Sequence, residues 1–229
     1  MSGIKTKLLS FIFIFWSLSI FSCDRSTHDI HLESFVADTH NDVLLRAMEG
    51  QNILEYHPES HSDLEKFKLG GVDLQVFSIW VSPDEKEKKY FENANDIINK
   101  LDFLISRVPK DWGLAKSYQD ITYNSRKNKM SCVIGVEGGH IIGRDISKLE
   151  ALHDRGMRYL GLTWNNSNYI ASSAKDETFN RNSLSNIGLS NFGSEVVQKC
   201  NDLGVMIDVS HVGEQAFWDV VDQSQEPII

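Results

Sequence analysis

The sequence predicts a parallel α/β protein folded as a (β/α)8 TIM barrel, and three observations carry that prediction. Short apolar runs alternate with amphipathic stretches along the chain, as the strands and covering helices of a parallel sheet do. Polar residues of ligand type stand where the first, third and fifth of these runs end, and a barrel collects its site from the C-terminal ends of several strands. No Gly-x-Gly-x-x-Gly follows the first run, so the doubly wound alternative lacks its main mark.

The elements follow in chain order. Lys5 and Lys7 precede an apolar run from Leu8 to Phe21 that is broken only by serines, and Ser22 closes it. A basic start and a short apolar core before a small residue describe a signal peptide over residues 1–22, too short to span a membrane comfortably. Cys23 behind Ser22 resembles a bacterial lipobox, although Phe21 is bulkier than that motif usually holds. Cys23 is therefore read as a lipidated residue and the protein as an exported lipoprotein anchored to a membrane. Residues 24–33 are polar and read as a tether; residues 34–229 form the barrel portion.

The first strand is expected at Ser34 to Thr39 and the second at Val72 to Trp80. A helix follows from Asp84 to Val108, where Tyr90, Phe91, Ala94, Ile97, Ile98, Leu101, Leu104 and Ile105 recur at helical spacing. Further strands are expected at Ser131 to Val136, Arg158 to Thr163 and Val205 to Ser210, with helices at Ile146 to Arg155, Gly193 to Leu203 and Glu214 to Asp222. Short, continuous apolar runs suit strands buried on both faces. Glu226-Pro227-Ile228-Ile229 looks like the start of a sixth strand, and the leader-free chain falls short of the ~250 residues of a typical barrel. The barrel is thus expected to be truncated after about five βα units, with unpaired strand edges that invite aggregation.

At 229 residues and 41% hydrophobic the chain is long enough for a full core. Its net charge of -9 and pI near 5.3 argue against a nucleic-acid partner, which would call for clustered Lys and Arg. Cys132 and Cys200 lack a Cys-x-x-Cys pattern, so no thiolate zinc site is supported; pairing stays open, and two buried free thiols are the simpler reading.

His40 and Asp42 are two residues apart and can face one side of an extended strand end. Glu137 closes an apolar run, where a carboxylate is costly without compensation. A pair of metal ions bridged by this carboxylate supplies it; a salt bridge to an Arg such as Arg158 is the structural alternative. His211 ends the fifth run, and alone it would read as a hydrogen-bonded core histidine. Joint placement lifts the metal reading above these alternatives. Gly138 and Gly139 would let backbone approach a ligand, and His140 could support Glu137 from behind. Neither a Gly-x-Ser-x-Gly elbow nor a His-Glu-x-x-His helix occurs. The ligand set suits a metal-bound hydroxide attacking a carbonyl that the metal polarises.

Ala37-Asp38-Thr39-His40-Asn41-Asp42, Ile134-Gly135-Val136-Glu137-Gly138-Gly139-His140, Arg158-Tyr159-Leu160-Gly161-Leu162-Thr163 and Leu203 through His211 occur in an order and spacing that resemble the membrane (renal) dipeptidase family, as does Gly188-Leu189-Ser190-Asn191-Phe192-Gly193. The resemblance implies a TIM-barrel metallohydrolase with two zinc ions that hydrolyses dipeptides, tolerates a D-residue at the C-terminal position and forms homodimers. It implies that His40 and Asp42 bind one zinc, that Glu137 bridges both and that His211 binds the second. Trp164 stands where mammalian members carry a substrate-contacting His, which alters substrate binding. The second histidine of the second zinc, and the Arg and Asp that contact substrate and shuttle a proton, are expected beyond Ile229, so the site of this chain is read as incomplete. A non-catalytic lipoprotein module and another binuclear amidohydrolase are the alternatives.

Overall fold

A computed structural model describes residues 26–84 and 89–229. The signal-peptide segment and Cys23 lie outside the described residues. Two compact units divide at Phe35 and Val36. In the first, Thr27–Glu33 (α1) is a two-turn helix in which Ser26 and Asp29 form a reciprocal capping box, and none of its side chains is buried. This helix occupies most of the stretch expected to be a tether. Among the described residues no helix is long and apolar enough to cross a membrane.

The second unit is a parallel sheet. Val36–Asn41 (β1), Val72–Trp80 (β2), Met130–Glu137 (β4), Met157–Gly161 (β5) and Met206–Asp208 (β6) lie in the order β1-β2-β4-β5-β6. All pairings are parallel. β4 is buried along its whole length, because β2 runs beside it from Ser131 to Glu137 and β5 covers the other edge from Ile134 onward. β1 departs from the expectation of burial on both faces: it is an outer strand of the sheet and alternates between half-buried and exposed. Five of the expected strands are present. A further one, Trp112–Leu114 (β3), pairs with β4 at Met130 to Cys132; three residues with a glycine at the centre leave no apolar run to read. Ile228 pairs in parallel with Ile207, so the terminal apolar run does take a strand position beside β6.

Local signals set the helices. In Tyr90–Arg107 (α4), Ala94, Ile97, Ile98, Leu101 and Leu104 form the buried stripe that the periodicity predicts. Ile146–Arg155 (α6) begins at Asp145, whose side chain accepts from the Ser147 N–H, and ends at Gly156 in the left-handed region at φ 119°. Asn191–Leu203 (α8) and Glu214–Gln223 (α9) lie within two residues of expectation. The short helices Val43–Met48 (α2), Leu64–Leu69 (α3), Tyr118–Arg126 (α5) and Ala174–Phe179 (α7) carry too few turns to show a period.

Strand alternation divides the interior in two. Phe77, Ile79, Ile134, Val136 and Leu160 join Ile98, Leu101, Leu149 and Val197 of the helices in the main core. Val76, Val133 and Tyr159 point the other way and pack with Ala115 in a small cluster on the inner face. Cys132 and Cys200 are buried free thiols, and burial pushes the Cys200 thiol up to about 12.

Asp63, fully buried at the start of α3, accepts from the backbone N–H of His57 at 3.0 Å and of Lys66 at 2.9 Å, and pairs with the Lys66 ammonium at 3.3 Å. Burial pushes its carboxyl up, but these partners outweigh burial and hold it below the usual carboxylate range. Its stabilisation is therefore present above the unfolded pKa of ~3.9 and is lost as pH falls through the lower folded value. Asp63→Ala is expected to cost about 1–3 kcal/mol at pH 7, and urea unfolding should find the gap from wild type narrowing toward pH 3.

Candidate metal centre

His40 is the penultimate residue of β1, and Asp42 follows as the N-cap of α2 without a capping hydrogen bond, so its carboxylate is left for other partners. Glu137 is the last residue of β4 and only 7% exposed. His211 lies three residues past the end of β6, in a turn with φ of 66°. The run expected as a strand to Ser210 stops at Asp208, whose carboxylate accepts from the Ser210 N–H at 2.8 Å and turns the chain. Crossovers of a parallel sheet bring these strand ends to one rim, although up to 171 residues separate them in sequence.

Glu137 lies between two imidazoles. Its Oε2 is 3.5 Å from Nε2 of His40, and its Oε1 is 3.3 Å from Nε2 of His211. Asp42 Oδ1 is also 3.5 Å from His40 Nε2. These separations exceed the 2.7–3.2 Å range of good N–H···O bonds. They match the spacing of two donors that share an ion: atoms each ~2.1 Å from a tetrahedral zinc stand ~3.4 Å apart. One ligand atom from each of His40, Asp42 and Glu137 lies within 4.8 Å of the others, so the residues fit a divalent cation. The electrostatics agree. The long hydrogen-bonding contact to Asp42, and then the one to Glu137, raises His40 to about 10 against the opposing effect of burial, while His40 holds Asp42 below the carboxylate range. Two carboxylates converging on one imidazole attract a cation.

The salt-bridge alternative for Glu137 fails on geometry. Arg158 donates to the carbonyls of Lys116, His153 and Met157, and Glu137 instead accepts from the Ser78 hydroxyl at 3.3 Å. The cleft above the site has a volume of about 250 Å³, and Thr39, Tyr159, Asp208 and Ser210 line it beside His40, Glu137 and His211.

Residues 24–229 match the family model described as membrane dipeptidase, peptidase family M19. The chain belongs to this family. It is 30% identical over 201 residues to Dipeptidase 3 of Mus musculus, a match covering 85% of this chain and 40% of that protein. The chain thus spans less than half the length of this relative. Among solved structures, a probable dipeptidase of Pseudomonas aeruginosa superposes with a TM-score of 0.76 at 23% identity, covering 88% of this chain and 52% of that one. A metallopeptidase of Rhodobacter sphaeroides, solved with a phosphinate mimic of the dipeptide L-Ala-D-Ala, gives 0.71 at 23% identity, with 85% and 63% covered. The fold is therefore that of the M19 dipeptidases, a family of metal-using hydrolases.

Other readings of this family's motifs change once the fold is known. Gly138 and Gly139 make room for protein rather than for a ligand: a Cβ on Gly138 would stand 2.5 Å from the His140 ring, and one on Gly139 would stand 2.3 Å from Ile170. His140 itself is buried, with Nε2 donating to the Val81 carbonyl at 2.9 Å and its ring edge-on to Tyr90, so its hydrogen bond goes to β2's exit rather than to Glu137. Trp164 is half-buried against Trp80, with ring centroids 5.1 Å apart, and Trp80 is the ladder partner of Glu137. Tyr159 and Asp208 also line the cleft, and neither stands out in the sequence. Tyr159 looks like core in an apolar strand; the carboxylate inside Val205 to Ser210 was the available signal for Asp208.

Positive φ is uncommon outside glycine, and asparagine, aspartate and histidine are the residues that adopt it most readily. His211→Asn keeps a residue type that tolerates this backbone, so thermal stability is expected to hold, while affinity for any cation shared with Glu137 falls; paired melting curves and metal titrations would separate the two effects.

Proposed function

We propose that this chain supplies a zinc centre for dipeptide hydrolysis, with His40 and Asp42 holding one ion, Glu137 bridging to a second and His211 holding that second ion. The observation that carries this reading is the placement of the two Glu137 oxygens, one toward each imidazole at 3.5 and 3.3 Å. Bound there, zinc supplies Lewis acidity at the scissile carbonyl and lowers the pKa of water toward neutrality. The protein's own residues do the rest. Ser78 orients Glu137 through its 3.3 Å hydrogen bond. The buried carboxylate of Asp208, in a cleft lined by neither Lys nor Arg among the described residues, suits the free ammonium of a dipeptide. Trp164, whose ring meets that of Trp80, is the proposed substrate contact.

The first position has three donors from this chain and the second has two. Elemental analysis and calorimetric zinc titration of the chain are therefore expected to find one tight ion and a weaker second. Hydrolysis of Gly-D-Ala belongs beside them. No bound zinc would favour a non-catalytic module; metal binding with turnover of a cyclic amide in place of a dipeptide would favour another amidohydrolase. Export, lipidation of Cys23, membrane anchoring and homodimer formation complete the reading. The apolar run before Ser22-Cys23 supports the anchor, and loss of labelled palmitate in Cys23→Ser would test it.

A further inference from the structure

Tyr159 lies on β5 and His40 on β1, and the sheet order puts β2 and β4 between them. Three strand spacings in a flat sheet would separate them by about 14 Å. Instead, the Tyr159 hydroxyl is 2.8 Å from Nδ1 of His40. Two features close that gap. The sheet curls, bringing the rim of β1 over β5, and the Tyr159 ring lies across β4 at one residue, Gly135.

Gly135 is the ladder partner of Tyr159, and a Cβ built on it would stand 2.2 Å from Cζ of the ring and 2.4 Å from Cε1. Any side chain at position 135 would push the ring off β4. The φ of Gly135 is not positive, so its conformation does not call for glycine; the space does. Val76, Ala115 and Val133 pack the ring on the inner face, leaving Tyr159 only 2% exposed. The phenol is thus a rigid group whose polar end meets one partner.

Resting on the proposed zinc centre, we infer that Tyr159 is the positioning residue of His40: its oxygen accepts from Nδ1–H, so Nε2 is left facing Asp42 and Glu137, and Gly135 is the vacancy through which the phenol reaches. The chemistry follows from tautomers. A neutral imidazole has one N–H, and placing it on Nδ1 leaves the lone pair on Nε2, the atom that stands 3.5 Å from both carboxylates. Were the hydroxyl to donate to Nδ1 instead, Nε2 would carry the hydrogen and point it at the ion's place. Ring rotation is blocked by the same bond.

The test uses the full chain with 15N-labelled histidine. In the zinc-loaded wild type, where Nε2 carries no hydrogen, the His40 Hδ1 resonance is expected to exchange slowly with water and to show an Overhauser contact to the Tyr159 ring. Tyr159→Phe keeps the ring over Gly135 and removes only the oxygen; it is expected to bring Hδ1 into fast exchange and to weaken zinc binding 10–100-fold in a chelator competition. Gly135→Ala, which displaces the ring, should weaken zinc in the same range. A merely structural role for Tyr159 would leave the Hδ1 signal unmoved. Zinc affinity of Tyr159→Phe within twofold of wild type, or a wild-type His40 protonated on Nε2 alone when neutral, overturns the inference. Should Tyr159→Phe fail to fold, the wild-type spectrum decides by itself. Absence of zinc binding by wild type would sink the zinc reading and leave the tautomer of neutral His40 to report on Tyr159 separately.

Discussion

Under the proposed zinc centre, Glu137→Gln is expected to lower zinc affinity by at least about a hundredfold and to remove the second ion altogether. The substitution keeps volume and leaves an amide that still bonds Ser78, so packing of β4 is preserved. What it takes away is a negative charge shared by two imidazoles at 3.3 and 3.5 Å. Loss of residues that merely orient a metal's ligands costs 10–100-fold in affinity, and a carboxylate that touches the ion itself should cost more. Among the described residues Glu137 is the acidic side chain within salt-bridge reach of His211, so the proposed second position depends on it more than the first, where Asp42 remains. Calorimetric titration of wild type and variant would measure both affinities, with far-UV circular dichroism to confirm an intact fold. An affinity for the first ion within tenfold of wild type would mean that Glu137 is not a ligand.

Phe77→Ala should have the largest effect on stability, about 3–5 kcal/mol. Phe77 is fully buried on β2, and its ring meets Phe67 of α3 edge-on at 6.2 Å and Trp112 of β3 at 5.4 Å. Phe67 and Trp112 contact each other at 6.1 Å, so the three rings form one closed unit that ties α3, β2 and β3 together. Truncation removes the transfer free energy of the ring and leaves a void that two other rings cannot fill without leaving their own contacts. A domain with a total stability of 5–15 kcal/mol would lose a large share of it. The site should feel this too, because the next residue, Ser78, holds Glu137. Urea unfolding followed by circular dichroism gives the number, and a loss below ~1.5 kcal/mol would show that the surroundings collapse onto the gap.

Legibility in the sequence followed the range of the interactions involved. β2 and α6 are legible to the residue, the first because six of its nine residues are β-branched, aromatic or leucine, the second because Asp145 and Gly156 cap a helical period. β3 was invisible because its three residues are a strand only through their pairing with Met130 to Cys132. β1 looked buried by composition and is half-exposed because burial depends on which neighbours a strand has. His40, Asp42 and Glu137 were singled out by a rule about strand ends, and the fold brings them together within 4.8 Å. Of the roles open to His140 in the sequence, the structure gives it a hydrogen bond to the Val81 carbonyl and not to Glu137, because the side chain's direction depends on the turn that follows β4.

Alternation, periodicity and capping are properties of a few neighbouring residues, so the sequence by itself determined the elements, the parallel α/β class and the types of residue at the rim. Tertiary structure alone decided the rest: that the sheet curls until a phenol on β5 meets an imidazole on β1 at 2.8 Å, and that the two oxygens of Glu137 face different histidines. Those facts depend on register, twist and strand order summed over more than a hundred residues, and an error of one residue in any register would turn the side chains to the other face.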